Sequence, residues 1–217
     1  IQAIYFAETS FLQSKARLVD IMSMLYAKQH TMLLFDLHTL DYTYVPCKPE
    51  HLGFYITNSN LPPFSIKEDI IYREEETIAG FEELRASQPN GLFREIGEQD
   101  MKNLAGQLSE ERKRFCLHVL EESRRVVESA RALEQKDFFT YGRLMNRSQE
   151  SLRDKFEVSC PEIDWLTKRA MELQGCLGAK MIGEGFGGCT VTLLEKNSLD
   201  AYMQRLQDYE HIFGFHP

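Results

Sequence analysis

The sequence lacks the long apolar run that a membrane-spanning helix requires, since no segment approaches roughly 20 apolar residues in succession. Its first residues show neither the basic start nor the small-residue cleavage site of a signal peptide, so none is predicted. The 33 acidic residues exceed the 25 basic ones, and the net charge of −8 argues against nucleic acid or an anionic membrane as a partner. These absences favour a cytoplasmic globular protein.

Patterns typical of metal sites and disulfide frameworks are missing as well. The five cysteines are odd in number and include no C-x-x-C pair, and the six histidines include no H-x-x-x-H pair. Such usage is typical of reduced thiols in the cytosol and excludes the common zinc motifs. We therefore predict no metal site made from the side chains of this chain.

The chain has 217 residues, of which 43% are hydrophobic and 27% charged, so it has enough apolar residues for a substantial core. Strand and helix patterns are segregated along it, which favours an α+β fold over a doubly wound parallel sheet. We expect the first three strands to be antiparallel neighbours. The predicted order is two helical pieces in 7–28, strands at 32–35, 42–45 and 54–57, helices at 66–86, 98–104, 109–133, 137–151 and 161–175, strands at 178–182 and 189–193, and a last helix at 198–209.

The most distinctive stretch is G-E-G-F-G-G-C-T-V at residues 183–191, in which four glycines fall within six residues. Its position between two apolar β-rich runs predicts a strand, a glycine-rich turn and a second strand. Closely spaced glycines adopt positive φ and let another group approach the main chain. From composition alone, the loop is either such a contact site or a glycine-rich connection inside an ordinary sheet.

Acidic residues carry little functional information by themselves. Those of the predicted helix at 66–86 are typical of a solvated face. Asp20 lies between Val19 and Ile21 on a predicted amphipathic helix, and its residue context alone indicates a surface carboxylate.

Two segments together carry a resemblance to a known family. Residues 179–191, A-K-M-I-G-E-G-F-G-G-C-T-V, closely resemble the C-terminal signature of galactokinases, which share a superfamily with homoserine, mevalonate and phosphomevalonate kinases. Residues 151–164 are similar to the helix and loop that galactokinases carry just before that signature, at the matching spacing. Upstream, A-E-x-x-F at 7–11 followed by Asp20 resembles the family's run ahead of its catalytic aspartate. The similarity extends over about residues 7–213.

The resemblance implies an α+β fold with an antiparallel sheet and a block of helices packed on it, forming the C-terminal part of a two-lobed sugar kinase. It implies that residues 1–50 are the tail end of the N-terminal lobe and that residues 51–217 are the C-terminal lobe. The family's R-x-N-x-x-G-E-H-x-D-Y motif and its serine- and glycine-rich phosphate loop do not occur in these 217 residues. We therefore expect the chain to be part of a longer protein and to be inactive alone.

The implied chemistry is phosphoryl transfer from ATP, with Mg²⁺, to a hexose hydroxyl, so the expected partners are a sugar and ATP. By family position, Asp20 is the carboxylate able to accept the hydroxyl proton. The loop would form the wall that faces phosphates and sugar, with an aromatic side chain packed beneath it. Its residues in this role are Gly183, Gly185, Phe186, Gly187 and Gly188.

Three positions depart from the galactokinase pattern near the expected sugar and phosphates. Arg17 replaces a glycine, Ile70 replaces a tyrosine, and Glu184 stands where glycine or alanine is usual. These departures keep an alternative open, in which the protein is a non-catalytic galactokinase-like sensor or interaction protein. A third interpretation, independent of the family, is an acidic α+β interaction domain with a structural glycine hairpin. The oligomeric state is not predicted.

Overall fold

A computed structural model describes residues 1–13, 17–62, 67–87, 96, 106 and 108–217. The short helix predicted at 98–104 lies outside these residues. The helices are α1 (Gln2–Phe6), which continues as a π-helical turn at Ala7–Phe11, α2 (Leu18–Tyr26), α3 (Lys67–Ser87), α4 (Glu110–Glu134), α5 (Phe138–Asp154), α6 (Pro161–Met171) and α7 (Leu199–Phe213). The strands are β1 (Thr31–Asp36), β2 (Asp41–Pro46), β3 (Leu52–Asn58), β4 (Cys176–Ile182) and β5 (Cys189–Glu195).

The strands form two antiparallel sheets in the described part of the chain, which confirms the predicted α+β class. One sheet is the β1–β2 hairpin, and the other has the order β3-β5-β4, with β5 in the centre. The expectation that β3 would lie beside β2 is wrong, because β3 pairs with β5 from Leu52↔Glu195 to Asn58↔Cys189. Pro46 ends β2 and Pro49 follows it. Since proline has no N–H to donate, the hairpin ladder does not continue into β3.

Helix α5 packs directly on the backbone of strand β4. A Cβ on Gly142 of α5 would lie 2.3 Å from the carbonyl oxygen of Leu177, and one on Gly178 of β4 would lie 2.3 Å from the carbonyl oxygen of Gly142. β4 is an edge strand, and its outer N–H groups need partners. Asn146 accepts from the N–H of Ala179 at 2.9 Å, and Gln149 accepts from the N–H of Met181 at 2.8 Å. Side chains of the helix thus replace a fourth strand.

Helix α7 covers the three-stranded sheet and fixes the chain that follows β3. Tyr202 and Tyr209 are buried in this layer. The Tyr202 hydroxyl lies 2.6 Å from Oγ1 of Thr57 on β3, and the Tyr209 hydroxyl donates to the carbonyl of Ser59 at 2.9 Å. Buried tyrosines bring large apolar area and require a partner for the hydroxyl. Both requirements are met at the end of β3, beside the glycine loop.

Acidic residues of α3, which are predicted to lie on a solvated face, instead connect α3 to α4. Arg112 of α4 donates through Nε to Glu76 of α3 at 2.7 Å and also pairs with Glu83. Ser109, where this helix is predicted to begin, caps α4, since its hydroxyl accepts from the N–H of Arg112 at 3.2 Å. No helix in the described ranges is both long and apolar enough to cross a membrane.

One titratable group is buried at the junction of α4 and α5. His118 is 6% exposed, its Nδ1 lies 2.9 Å from the Ser151 hydroxyl, and its ring stacks on Phe156 at 4.7 Å between centroids. Burial lowers the pKa of His118 to about 4, and the charge of Glu122 opposes this shift while that of Arg125 adds to it. His118 is therefore neutral in the folded protein at neutral pH.

Replacing Gly142 by alanine should lower the free energy of unfolding by about 2 kcal/mol, although alanine is the better helix former. The reason is that the new methyl group meets the backbone of Leu177, which cannot rotate away. Urea denaturation measures the effect. The neighbouring exposed Arg143 provides the control, since Arg143→Ala should change stability by less than about 0.5 kcal/mol. Equal stabilities of the two variants would contradict the backbone contact.

Acidification should destabilise the protein through His118. The unfolded chain binds a proton near the ordinary histidine pKa of 6.5, whereas the folded chain binds it near 4. Between these values the unfolded state carries more protons, so stability falls as pH falls, by up to about 1.4 kcal/mol per pH unit. Denaturation of the wild type and of His118→Gln between about pH 7 and pH 5 isolates this contribution. The carboxylates are common to both proteins, so identical pH slopes would show that His118 is not the cause.

Candidate functional site

The glycine loop joins β4 to β5 as the predicted hairpin, with Ile182 paired to Cys189. Gly185 has φ +122°, and a Cβ there would lie 2.7 Å from the carbonyl oxygen of Val158. Both the conformation and the close approach require glycine at this position. Gly183 is exposed, and nothing lies within 4 Å of the place where its Cβ would be. The loop is therefore packed on one side and open on the other.

The two segments that resemble galactokinases touch each other. The N–H of Phe186 donates to the carbonyl of Val158 at 2.7 Å, and the Phe186 side chain packs against the buried cluster of Val158, Ile163 and Met181. Phe186 lies beneath the loop, as predicted. Gln149 adds a second connection, because its Nε2 donates to Ser159 and to Asp164, each at 3.2 Å, while its oxygen holds β4. The spacing seen in the sequence thus corresponds to a direct contact.

Arg73 of α3 contacts the loop, a role that the sequence reasoning missed. Its guanidinium carbon lies 5.3 Å from the centre of the Phe186 ring, and its Nε donates to the carbonyl of Phe156 at 2.8 Å. Phe186 has φ +55°, an unfavourable conformation for a bulky residue. The stacked cation and the bond to Val158 hold it there. A signal was available, since a lone aromatic residue among glycines needs a partner for its face.

The chain after β3 holds the end of the loop at Gly187 and Gly188. The N–H of Ser59 donates to the carbonyl of Gly188 at 2.8 Å. Gly187 is buried, and a Cβ on it would lie 3.3 Å from Leu61. This segment is the one that Tyr209 fixes from below. The glycine wall is therefore attached at both Phe186 and Gly188.

Asp20 lies in the first turn of α2 and forms a bidentate ion pair with Arg17. Arg17 donates through Nε at 2.8 Å and through Nη2 at 3.0 Å, and the two side chains are 44% exposed for Arg17 and 52% for Asp20. The pKa of Arg17 is raised, chiefly by the hydrogen bond to Asp20 and in smaller part by the charge of Glu184. Glu184 of the glycine loop is thus near enough to act on the same guanidinium.

The structure relates the predicted site residues of α2 to those of the loop through Arg17. Arg17 connects Asp20 of α2 electrostatically to Glu184 of the loop. Ile70 is half-buried in α3, three residues before Arg73, which contacts Phe186. The catalytic and substrate-binding roles assigned to these positions stay predictions.

Replacing Arg73 by methionine should loosen the glycine loop, because the ring of Phe186 loses its cation and the carbonyl of Phe156 loses its donor. Hydrogen bonds from charged groups and cation–π contacts together predict a loss of about 2 kcal/mol in stability. Hydrogen exchange at the Phe186 amide should accelerate, while Arg85→Met, an exposed position on the same helix, should leave it unchanged. Unchanged exchange in Arg73→Met would show that the arginine does not hold the loop.

Comparison with known proteins agrees with this arrangement. The family described as GHMP kinases C terminal matches residues 129–210. Galactokinase from Thermotoga maritima is 35% identical over 209 residues, which is 96% of this chain and 57% of that protein. Human galactokinase is 34% identical over 203 residues, which is 94% of this chain and 51% of that protein.

Among solved structures, the galactokinase of Lactococcus lactis matches with a TM-score of 0.88 at 24% identity, over 97% of this chain and 55% of that one. This similarity shows the fold. The chain spans about half the length of the curated relatives it matches. The chain therefore contains the C-terminal domain of the GHMP kinases, and it corresponds to the C-terminal half of the galactokinases that it resembles.

Proposed function

We propose that the intact protein is an ATP-dependent sugar kinase of galactokinase type, which transfers the γ-phosphoryl group of ATP to a hexose hydroxyl. The observation that supports the proposal is the Arg17 guanidinium, which pairs with Asp20 and also responds to the charge of Glu184 in the glycine loop, whose Gly183 is open. The similar structure from Lactococcus lactis is a galactokinase in complex with galactose, which supports a hexose as the substrate class. An identity of about 35% supports the class rather than one particular sugar.

The glycine loop fits a phosphate-bearing ligand on its open side. At Gly183 a side chain is absent and the space is free, so phosphate oxygens have room to approach the main chain. Among the described residues, no group of three His, Cys, Asp or Glu side chains is placed to hold a metal ion. Mg²⁺ typically binds through substrate phosphates and one or two carboxylates, so it would arrive with the nucleotide and neutralise phosphate charge.

In the proposed reaction Asp20 accepts the proton of the sugar hydroxyl as its oxygen forms the new bond to phosphorus. The bond between that phosphorus and the bridging oxygen of ATP breaks, and ADP leaves. Arg17 holds both oxygens of Asp20, so it fixes the direction of the carboxylate. The residues of this chain thus position a base and a phosphate wall, which are the main contributions of a protein to phosphoryl transfer.

A second candidate function is sensing or partner binding without catalysis. It is favoured by the ion pair itself, because Arg17 already engages one lone pair on each oxygen of Asp20 before any sugar arrives. Ile70 also favours this function, because its side chain cannot donate the hydrogen bond that the family's tyrosine would donate. The third interpretation, an interaction domain unrelated to kinases, is disfavoured by the family membership.

The boundary between lobes at residues 50 and 51 and a location in the cytoplasm belong to this proposal as well. The 217-residue chain alone should show no turnover, because the family's phosphate loop does not occur in it. The intact protein is therefore the one to assay.

Substitution of Asp20 by asparagine in the intact protein should lower sugar-dependent ADP release by about a hundredfold or more, the contribution typical of a positioned general base. A coupled assay over a panel of hexoses measures it. Asp200→Asn is the matched control, because Asp200 is also an exposed aspartate in the first turn of a helix. Its rate should equal that of the wild type.

The same experiment separates the two candidate functions. An unchanged rate in Asp20→Asn would remove Asp20 from the chemistry. If the wild type turns over none of the sugars, yet calorimetry detects sugar or ATP binding, the non-catalytic function is the correct one. Turnover that is lost only in Asp20→Asn supports the kinase.

A further inference from the structure

A cavity of about 200 Å³ lies between strand β1 and helices α4 and α5, and it reaches Lys180 on β4. It uses none of the residues assigned to the kinase site. Its walls differ in chemistry, since one is made of charged and hydroxyl side chains and the other of aliphatic ones. The ligand that fits it can therefore be inferred from each wall in turn.

The polar wall is built around Lys180, Ser148 and Glu122. Lys180 donates to the Ser148 hydroxyl at 2.7 Å, and that hydroxyl donates to Glu122 at 2.8 Å. Burial lowers the pKa of Lys180, while the charge of Glu122 opposes this shift and that of Arg125 adds to it. An ammonium group has three N–H donors, and the bond to Ser148 uses one of them.

Arg125 supplies a further donor on the same wall. Its Nε donates to Glu122 at 2.5 Å and its Nη1 to Glu121 at 3.2 Å, but its Nη2 is buried and has no hydrogen-bond partner among the described residues. An unsatisfied charged donor is costly in a protein interior. Lys180, Arg125 and Lys155 are three cations against the two carboxylates Glu121 and Glu122, so the cluster carries one positive charge in excess.

The opposite wall is aliphatic. Tyr141 lies at its edge, and its hydroxyl donates to the sulfur of Met32 at 3.5 Å, a weak acceptor. Burial raises the pKa of Tyr141 to about 12, so it remains a donor. An apolar cavity of about 150 Å³ holds a molecule the size of benzene. The remaining wall consists of Leu34, Val45, Ala130, Leu133 and Leu144.

We propose that this cavity binds a small organic carboxylate, with the carboxylate oxygens on Lys180 and Nη2 of Arg125 and the apolar body against β1 and α4. A carboxylate supplies the acceptors that the wall lacks and matches its single excess charge. An inorganic anion would satisfy the charge but leave the aliphatic wall unfilled. A neutral ligand would fill the volume but leave the cations unpaired.

Benzoate and benzamide form the probe pair, because they share shape and differ in charge, and inorganic phosphate is the third probe. Calorimetry on the full chain should detect benzoate with a Kd of about 1 mM or tighter and at least about tenfold weaker binding of benzamide and phosphate. Lys180→Met should weaken the binding of benzoate at least about tenfold. Lys113→Met removes a lysine of α4 outside the cavity and should leave the affinity for benzoate unchanged.

Ala130→Leu, which fills the cavity without touching the polar wall, provides a second variant and should also abolish benzoate binding. It keeps the test decisive if Lys180→Met does not fold. Equal binding of benzamide, equal binding of phosphate, or no binding of benzoate to the wild type would each overturn the proposal. The kinase assay is independent of all three results.

Discussion

The contact on which the site depends is the approach of two backbones, helix α5 and strand β4, at Gly142 and Gly178. Any side chain at either position would occupy the place of a carbonyl oxygen. Because the helix lies so close, the amides of Asn146 and Gln149 reach the edge of the strand and accept its N–H groups. These contacts fix the distance and the register of β4 relative to α5. The glycine loop begins where this strand ends. The position of the loop thus follows from the backbone approach of α5 to β4 together with the amide side chains of Asn146 and Gln149.

A second set of contacts connects the loop to the helices through aromatic rings. His118 stacks on Phe156, the carbonyl of Phe156 accepts from Arg73, and Arg73 stacks on Phe186 beneath the loop. These three contacts form one continuous series from α4 to the loop. The buried, neutral histidine is therefore part of the support of the loop, and its low pKa is the energetic consequence of placing it there. Val158 completes this support, because its carbonyl accepts a hydrogen bond from the N–H of Phe186.

Local signals predicted the elements that have local causes. Ser109 caps α4 through its hydroxyl, and Pro161 begins α6, both as the sequence indicated. Ser198 stands at the predicted start of α7, but its hydroxyl donates to the carbonyl of Gln174 instead of capping the helix. The pairing of β3 with β5 was not predicted, because the two strands lie more than 130 positions apart in the sequence. The residue pattern of a strand does not indicate which distant strand it pairs with. Arg73 was missed for a similar reason, since its function depends on a ring that lies 113 positions further along the chain.

Two of the three departures from the galactokinase pattern, Arg17 and Glu184, have an electrostatic explanation once they are seen together. Taken singly, Arg17 would crowd a sugar and Glu184 would repel phosphates. In the folded chain Arg17 pairs with Asp20, and the charge of Glu184 acts on the same guanidinium. The three side chains sum to one negative charge, which is the charge that Asp20 would have alone beside two glycines. The two substitutions thus compensate each other in charge, and what they change is the volume beside the carboxylate. Under the proposed function, a change in volume with the charge preserved would alter which sugar fits before it altered the chemistry proposed for Asp20.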